Sequence, residues 1–129
     1  MTASSESAPD DVPDAVEALK IRFRADLKLA MRARSALEIG ALRALIAALD
    51  NAQAVPVGDA HKRYVVHAFG DAAVEVPRLV LDAGEVKRLL QAEVASRRAA
   101  ADQFDQLDRP ERAAELRAEA AVVARYVNS

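Results

Sequence analysis

The chain has no cysteine and no tryptophan, and it is sparing with glycine (4), proline (5) and aromatic residues (4%). Without cysteine there are no disulfides, no thiolate chemistry and no Cys-ligated zinc or iron centre, which fits a reducing, cytoplasmic setting. No stretch approaches the roughly 18 uninterrupted apolar residues that a membrane span needs. The N-terminus lacks the basic segment and apolar run of a secretion signal. Scarce aromatics deprive β-sheets of their usual residues. What the chain does have is alanine, 30 of its 129 residues, the side chain that loses no rotamer freedom in a helix. Of the 52% apolar positions, about 37 larger residues remain to fill an interior. That predicts one all-α domain with a thin, closely packed core.

The formal charge of −2 conceals an asymmetry. Residues 1 to 14 carry Glu6, Asp10, Asp11 and Asp14 and no Lys or Arg, which leaves the remainder at +2. Between Ala15 and Arg43, seven basic residues (Lys20, Arg22, Arg24, Lys28, Arg32, Arg34, Arg43) face three acidic ones (Glu17, Asp26, Glu38). An excess of this size belongs either to an ordinary solvated helix or to a surface for an anionic partner.

Residues 1–11 have no apolar period to bury and read as a disordered acidic tail, leaving 12–129 as a single helical domain. From Pro13 to about Arg34 the period becomes helical, with Val16, Leu19, Phe23, Leu27, Ala30 and Met31 on one face and Asp11 as N-cap. Ser35 and Glu38 are spaced as a capping box. They open a second helix from Ala36 to about Asn51, with Ile39, Leu42, Leu45, Ile46 and Leu49 on its apolar face and Gly40 and alanines around the rest. From about 54 to 80 the pattern is broken by Pro56, Gly58, Gly70 and Pro77. This long irregular connection contains two β-leaning runs, around Tyr64–Val66 and Val74–Val76, that either pair as a hairpin or do not. Asp82 and Glu85 repeat the capping signal and launch a third helix, Ala83 to about Gln106, on Val86, Leu89, Leu90, Val94, Ala101 and Phe104. Asp108, Pro110 and Glu111 give it again. A fourth helix then runs to about Val127 on Ala113, Leu116, Ala120, Val123 and Val127, antiparallel to the third.

Some polar residues do not fit this scheme. Glu93 and Arg97 project into the apolar sector of the third helix. They form either an ion pair at the edge of a thin core, extended to a neighbouring helix, or an incompletely buried site where Arg97 and adjacent Arg98 reach a ligand phosphate. On the first helix, Lys20, Arg24, Lys28 and Arg32 recur every four residues. Such a row either tracks a phosphate backbone or covers the rim of the core with aliphatic stems. A basic amphipathic helix also suits a membrane surface, but here the apolar stripe is expected to be consumed by the second helix.

Catalytic signatures are missing. His61 and His67 are the only imidazoles, and their spacing of six suits neither metal ligation on one helix face nor a recognisable acid–base pair. The four glycines are scattered rather than grouped around a phosphate, and no nucleophile elbow is present. No catalytic residue, metal ligand or cofactor site is assigned.

The segments RFRADLKLAMRARSALEIGALRALIAALDNAQ and EVKRLLQAEVASRRAAADQFDQLDRPERAAELRAEAAVVARYV, about Arg22 to Gln53 and Glu85 to Val127, resemble the YqeY-like proteins. These are relatives of the tail domain of GatB, the B subunit of the tRNA-dependent amidotransferase. Glu93, the basic pair Arg97 and Arg98, Phe104, Arg109, Ala113, Glu119 and Tyr126 carry the likeness. In that family a smaller helical domain follows a Tyr-Leu-Pro, whereas here Tyr126 is followed by Val127, Asn128 and Ser129. The resemblance implies an α-helical GatB/YqeY-like module that contacts tRNA or a tRNA-amidating complex without catalysing a reaction by itself. The candidate contacts for nucleic acid are Lys20, Arg24, Lys28, Arg32, Arg97, Arg98 and Arg109. The alternative is a module that binds a protein partner or itself without RNA. Least favoured is a carbon–nitrogen ligase using glutamine as amido donor, because no amidase nucleophile or ATP site is visible.

Overall fold

The computed structural model describes residues 15–54, 64–68 and 75–128, with residues 64–68 and 75–77 described by backbone alone. Four helices carry the fold: α1 (Ala15–Arg32), α2 (Ala36–Gln53), α3 (Ala83–Gln106) and α4 (Pro110–Ala124). Between α2 and α3, β1 (Tyr64–Ala68) pairs antiparallel with β2 (Glu75–Leu79), Tyr64 opposite Leu79 and Ala68 opposite Glu75. The connection thus contains the hairpin that the two β-leaning runs allowed. The expectations for residues 1–11, for Asp11 as a cap and for His61 lie outside the described residues.

The domain is two αα-hairpins built with the same joint. At the end of α1, Arg34 takes the left-handed conformation (φ 57°), and its N–H and that of Ser35 donate to the Met31 and Ala30 carbonyls at 3.1 and 3.0 Å. At the end of α3, Asp108 is left-handed (φ 61°), and its N–H and that of Arg109 donate to the Asp105 and Phe104 carbonyls at 3.0 and 2.8 Å. Each is a Schellman closure that satisfies two otherwise orphaned carbonyls. In each, the residue after the left-handed one becomes the N-cap of the next helix.

This joint corrects two of the expected caps. Ser35 Oγ accepts from the Glu38 N–H at 3.4 Å, but the Ser35 N–H is already given to Ala30, so Glu38 has no amide to reach back for. Its carboxylate is held instead by Arg125, at 2.8 Å. Asp108 is not the cap of α4. It closes α3, and Arg109 stands at the N-cap with no side-chain bond, followed by Pro110 in the first turn. Asp82 follows a strand rather than a helix, its N–H is unclaimed, and the full capping box forms: Glu85 N–H to Asp82 Oδ1 at 2.7 Å and Asp82 N–H to Glu85 Oε1 at 2.8 Å.

The main core joins Val16, Leu19 and Phe23 of α1, Leu42, Leu45 and Leu49 of α2, Val86, Leu90 and Val94 of α3, and Val122, Val123 and Tyr126 from α4 and the turn after it. α3 has 24 residues against 18 in α1 and in α2, about 36 Å against 27 Å at 1.5 Å per residue. Its far half runs past the main core with the start of α4, where Ala101, Ala113 and Leu116 form a second small cluster with Phe104 packed against it. α3 and α4 share the most extensive contact among the described elements. Met31, expected in the buried stripe, is half exposed, because it lies on the flank of Lys20 and Arg24 rather than on that of Phe23 and Ala30.

Tyr126 fastens the chain's last turn to α1. Its ring meets Phe23 edge-on with centroids 4.8 Å apart, and its hydroxyl donates to Asp26 Oδ2 at 2.5 Å. Burial and the bond to Asp26 both push its pKa well above the usual tyrosine range.

Candidate nucleic-acid interface

The cation row on α1 divides after its first member. Lys20 is buried, and its ammonium donates to Asp50 Oδ1 and Gln53 Oε1 at the end of α2, at 2.5 and 2.8 Å. Arg78 of β2 approaches the same Asp50 oxygen at 3.7 Å, so one carboxylate links α1, α2 and the hairpin. Removed from water and doubly bonded, Lys20 is not presented to an external phosphate.

The other three members are exposed. Arg24 has one loose ion pair, to Glu17 at 3.9 Å, and Lys28 and Arg32 have no ion-pair partner among the described residues. Steps of four residues advance by about 400°, so the row drifts some 40° per member from the Lys20 flank toward the outer face of α1. The Lys20–Asp50 contact also sets the register of the antiparallel pair. Eight residues along α1 from Lys20 to Lys28 correspond to about eight back along α2 from Asp50, which brings Arg43 level with Lys28. Arg43 is seven residues before Asp50 and shares its face. Sequence counting included it in the basic stretch but had no means of joining it to the row, because the register between the helices depends on a buried side-chain contact.

Arg97 lies elsewhere, between α3 and α4. Its guanidinium bonds Glu93 Oε1 at 2.7 Å and the Glu93 carbonyl at 3.2 Å, and its Nε stands 3.5 Å from Glu119 Oε1 of α4. Arg112 reaches Glu119 from the other side at 3.7 Å and Glu115 at 2.9 Å. Arg97 falls between Val94 and Ala101 on α3 and Glu119 between Leu116 and Ala120 on α4, so this pair lies between the main core and the second cluster. Of the two readings for Glu93 and Arg97, the geometry matches the ion pair extended to a neighbouring helix. Arg98 and Arg109 are exposed and have no ion-pair partner among the described residues, but they belong to α3 and to the α3–α4 joint, not to the α1 row.

Among the described residues no group of three or more His, Asp or Glu side chains is placed to hold a metal ion. No described helix is long and apolar enough to cross a membrane. The fold defines an all-α four-helix domain with a two-stranded insert. Compared with protein-family models, curated proteins and solved structures, the chain gives no match to any of the three.

Proposed function

We propose that this domain is a non-catalytic module that contacts RNA through the basic flank of its α1–α2 hairpin, tRNA being the class that the resemblance to YqeY-like proteins implies. One observation carries the reading: Arg24, Lys28 and Arg32 stand exposed along one helix, with exposed Arg43 on the next at about the height of Lys28, while Lys20 is held inside. Cations at a spacing of about 6 Å along a helix suit the phosphates of a nucleic-acid backbone, contacts that fix position without reading sequence. Partner complexes that amidate tRNA fall within the same reading.

The test is the affinity of the full chain for tRNA as a function of salt. Each phosphate contact contributes a slope of about 0.7–0.9 to the fall of log K with log salt. Changing Arg24, Lys28 and Arg32 together to Glu is expected to reduce affinity at least tenfold and to flatten the slope by about 2 to 3. Lys20→Met is expected to leave both unchanged. No binding to tRNA at low salt would overturn the reading.

A second reading has its own observation. Ile21, Leu29 and Met31 of α1 are 54%, 59% and 50% exposed, three large apolar side chains outside the core on the helix that carries the row. A protein partner would account for them, with the cations contacting its carboxylates.

A further inference from the structure

The joint between α1 and α2 is closed by Arg34 in the left-handed conformation (φ 57°), a region that glycine enters freely and that a side chain with a Cβ enters at a cost. Nothing in the closure asks for arginine. The bonds that finish α1 run from the Ala33, Arg34 and Ser35 N–H groups to the Leu29, Met31 and Ala30 carbonyls, all of them backbone. The matching joint between α3 and α4 is made with Asp108, at φ 61°. The Arg34 side chain is exposed and has no hydrogen bond or ion pair among the described residues. A cation at the C-terminal end of a helix gains from the helix dipole, but Arg32 already stands in the last turn of α1, and at an exposed position that attraction is weaker than the backbone cost.

The charge around Arg34 is one-sided. From Leu27 to Leu49 the chain carries Lys28, Arg32, Arg34 and Arg43 and a single acid, Glu38, whose carboxylate is taken by Arg125 at 2.8 Å. All four cations are exposed, and none has an ion-pair partner among the described residues. Glu17 and Asp50, which meet Arg24 and Lys20, stand toward the other end of the hairpin. The joint end therefore concentrates positive potential on the surface.

We infer that Arg34 is a phosphate contact and that the α1–α2 joint is the end of the basic flank on which an RNA backbone docks, an inference that rests on the RNA reading above. Arg34 follows Arg32 by two residues and carries the row Arg24, Lys28, Arg32 beyond the end of the helix. A guanidinium offers a phosphate oxygen pair a fork of N–H donors, and an arginine with no partner inside the fold has that fork free. An unfavourable backbone conformation kept at an exposed charged residue that contributes no bond to the fold is accounted for by what the side chain meets outside it.

Equilibrium binding of the full chain to tRNA across a salt series, paired with urea unfolding of the same variants, tests it. Arg34→Gly is expected to bind roughly five- to tenfold more weakly at about 50 mM salt and to flatten the salt slope by about 0.7–0.9, the share of one phosphate contact. It should unfold at no lower urea concentration than the parent, because glycine relieves the left-handed turn. Arg34→Gln, which keeps a side chain on the same backbone and removes the charge, should lose the same affinity. Arg34→Lys should keep most of it, since an ammonium still pairs with phosphate as a point charge. Asp108→Gly, the same change at the other joint, should neither weaken binding nor flatten the slope. A parent that binds tRNA while Arg34→Gly and Arg34→Gln bind it equally well would overturn the assignment of Arg34 and leave the RNA reading standing. A parent that binds no tRNA at low salt would remove both.

Discussion

The Lys20 ammonium lies 2.5 Å from Asp50 Oδ1, and this contact joins α1 to α2 while taking a cation out of the surface row. Removing one partner of a buried pair costs more than the pair is worth, because the other is left unmatched. The Asp50 side chain is about half exposed, at 48%, and Arg78 lies nearby, so water and a second cation moderate the loss. Lys20→Ala is therefore expected to lower stability by about 1–3 kcal/mol, measured by urea denaturation. The triple Arg24, Lys28, Arg32 to Glu variant should stay within about 1 kcal/mol of the parent, as exposed surface changes do. The same pair of proteins separates folding from binding: the first loses stability and keeps RNA affinity, the second does the reverse.

The ionic layer of Glu93, Arg97 and Glu119 makes a sharper prediction, because its parts respond in opposite directions. Arg97→Ala leaves the partly buried Glu93 without its partner and Glu119 with Arg112 alone, and is expected to cost about 1–3 kcal/mol. Replacing all three residues by Leu joins the two apolar clusters and is expected to be neutral or stabilising by about 1–3 kcal/mol. Denaturant midpoints of the two variants decide the matter, and a triple variant as damaged as Arg97→Ala would exclude this account of the layer.

Helix positions were legible in the sequence because they depend on period alone: the stripes of Leu42, Leu45 and Leu49 and of Val86, Leu90 and Val94 are buried as expected. The caps were legible only where no helix preceded them. Asp82 keeps its amide free for Glu85, whereas the Ser35 and Arg109 amides are claimed by the closing turns of α1 and α3, a competition that spacing alone does not reveal. The candidate site was readable in composition but not in membership. Lys20 and Lys28 belong to one sequence period, yet Asp50 and Gln53, thirty and more residues away, decide which of them is buried. Glu93 and Arg97 stood out as misfits on an apolar face, and the missing part of their explanation was Glu119 on another helix.

The Tyr126 hydroxyl gives the fold a definable response to alkali. Burial and its bond to Asp26 raise the pKa in the folded chain above the ordinary value of about 10.0. The neutral phenol is thus favoured by folding, so its contribution is fully present below pH 10 and is lost as pH rises toward the raised folded value. Stability of the parent should fall more steeply between pH 9.5 and 11 than that of Tyr126→Phe, which lacks the titrating group, although the variant starts lower by about 1 kcal/mol for the lost bond. Urea midpoints across that interval measure the difference. Parallel curves would show that Tyr126 does not couple ionisation to folding.

The two left-handed closures differ in a way that substitution can read. Arg34 and Asp108 both adopt φ near +60°, a conformation that costs a side chain with a Cβ about 1–2 kcal/mol and costs glycine almost nothing. Asp is among the residues that tolerate this region, through local bonding of its short carboxylate, and Arg is not. Glycine also carries a cost, since the unfolded chain gains freedom worth about 0.5–1 kcal/mol. The balance favours Arg34→Gly, with an expected gain of about 0.5–1 kcal/mol, and leaves Asp108→Gly near neutral. Substitution of either by Val should cost more than 1 kcal/mol, because a β-branched side chain is least able to enter the left-handed region. Thermal and urea unfolding of the four variants give the order directly. A loss on Arg34→Gly as large as that on Arg34→Val would mean that the Arg34 side chain, rather than its backbone, holds the joint between α1 and α2.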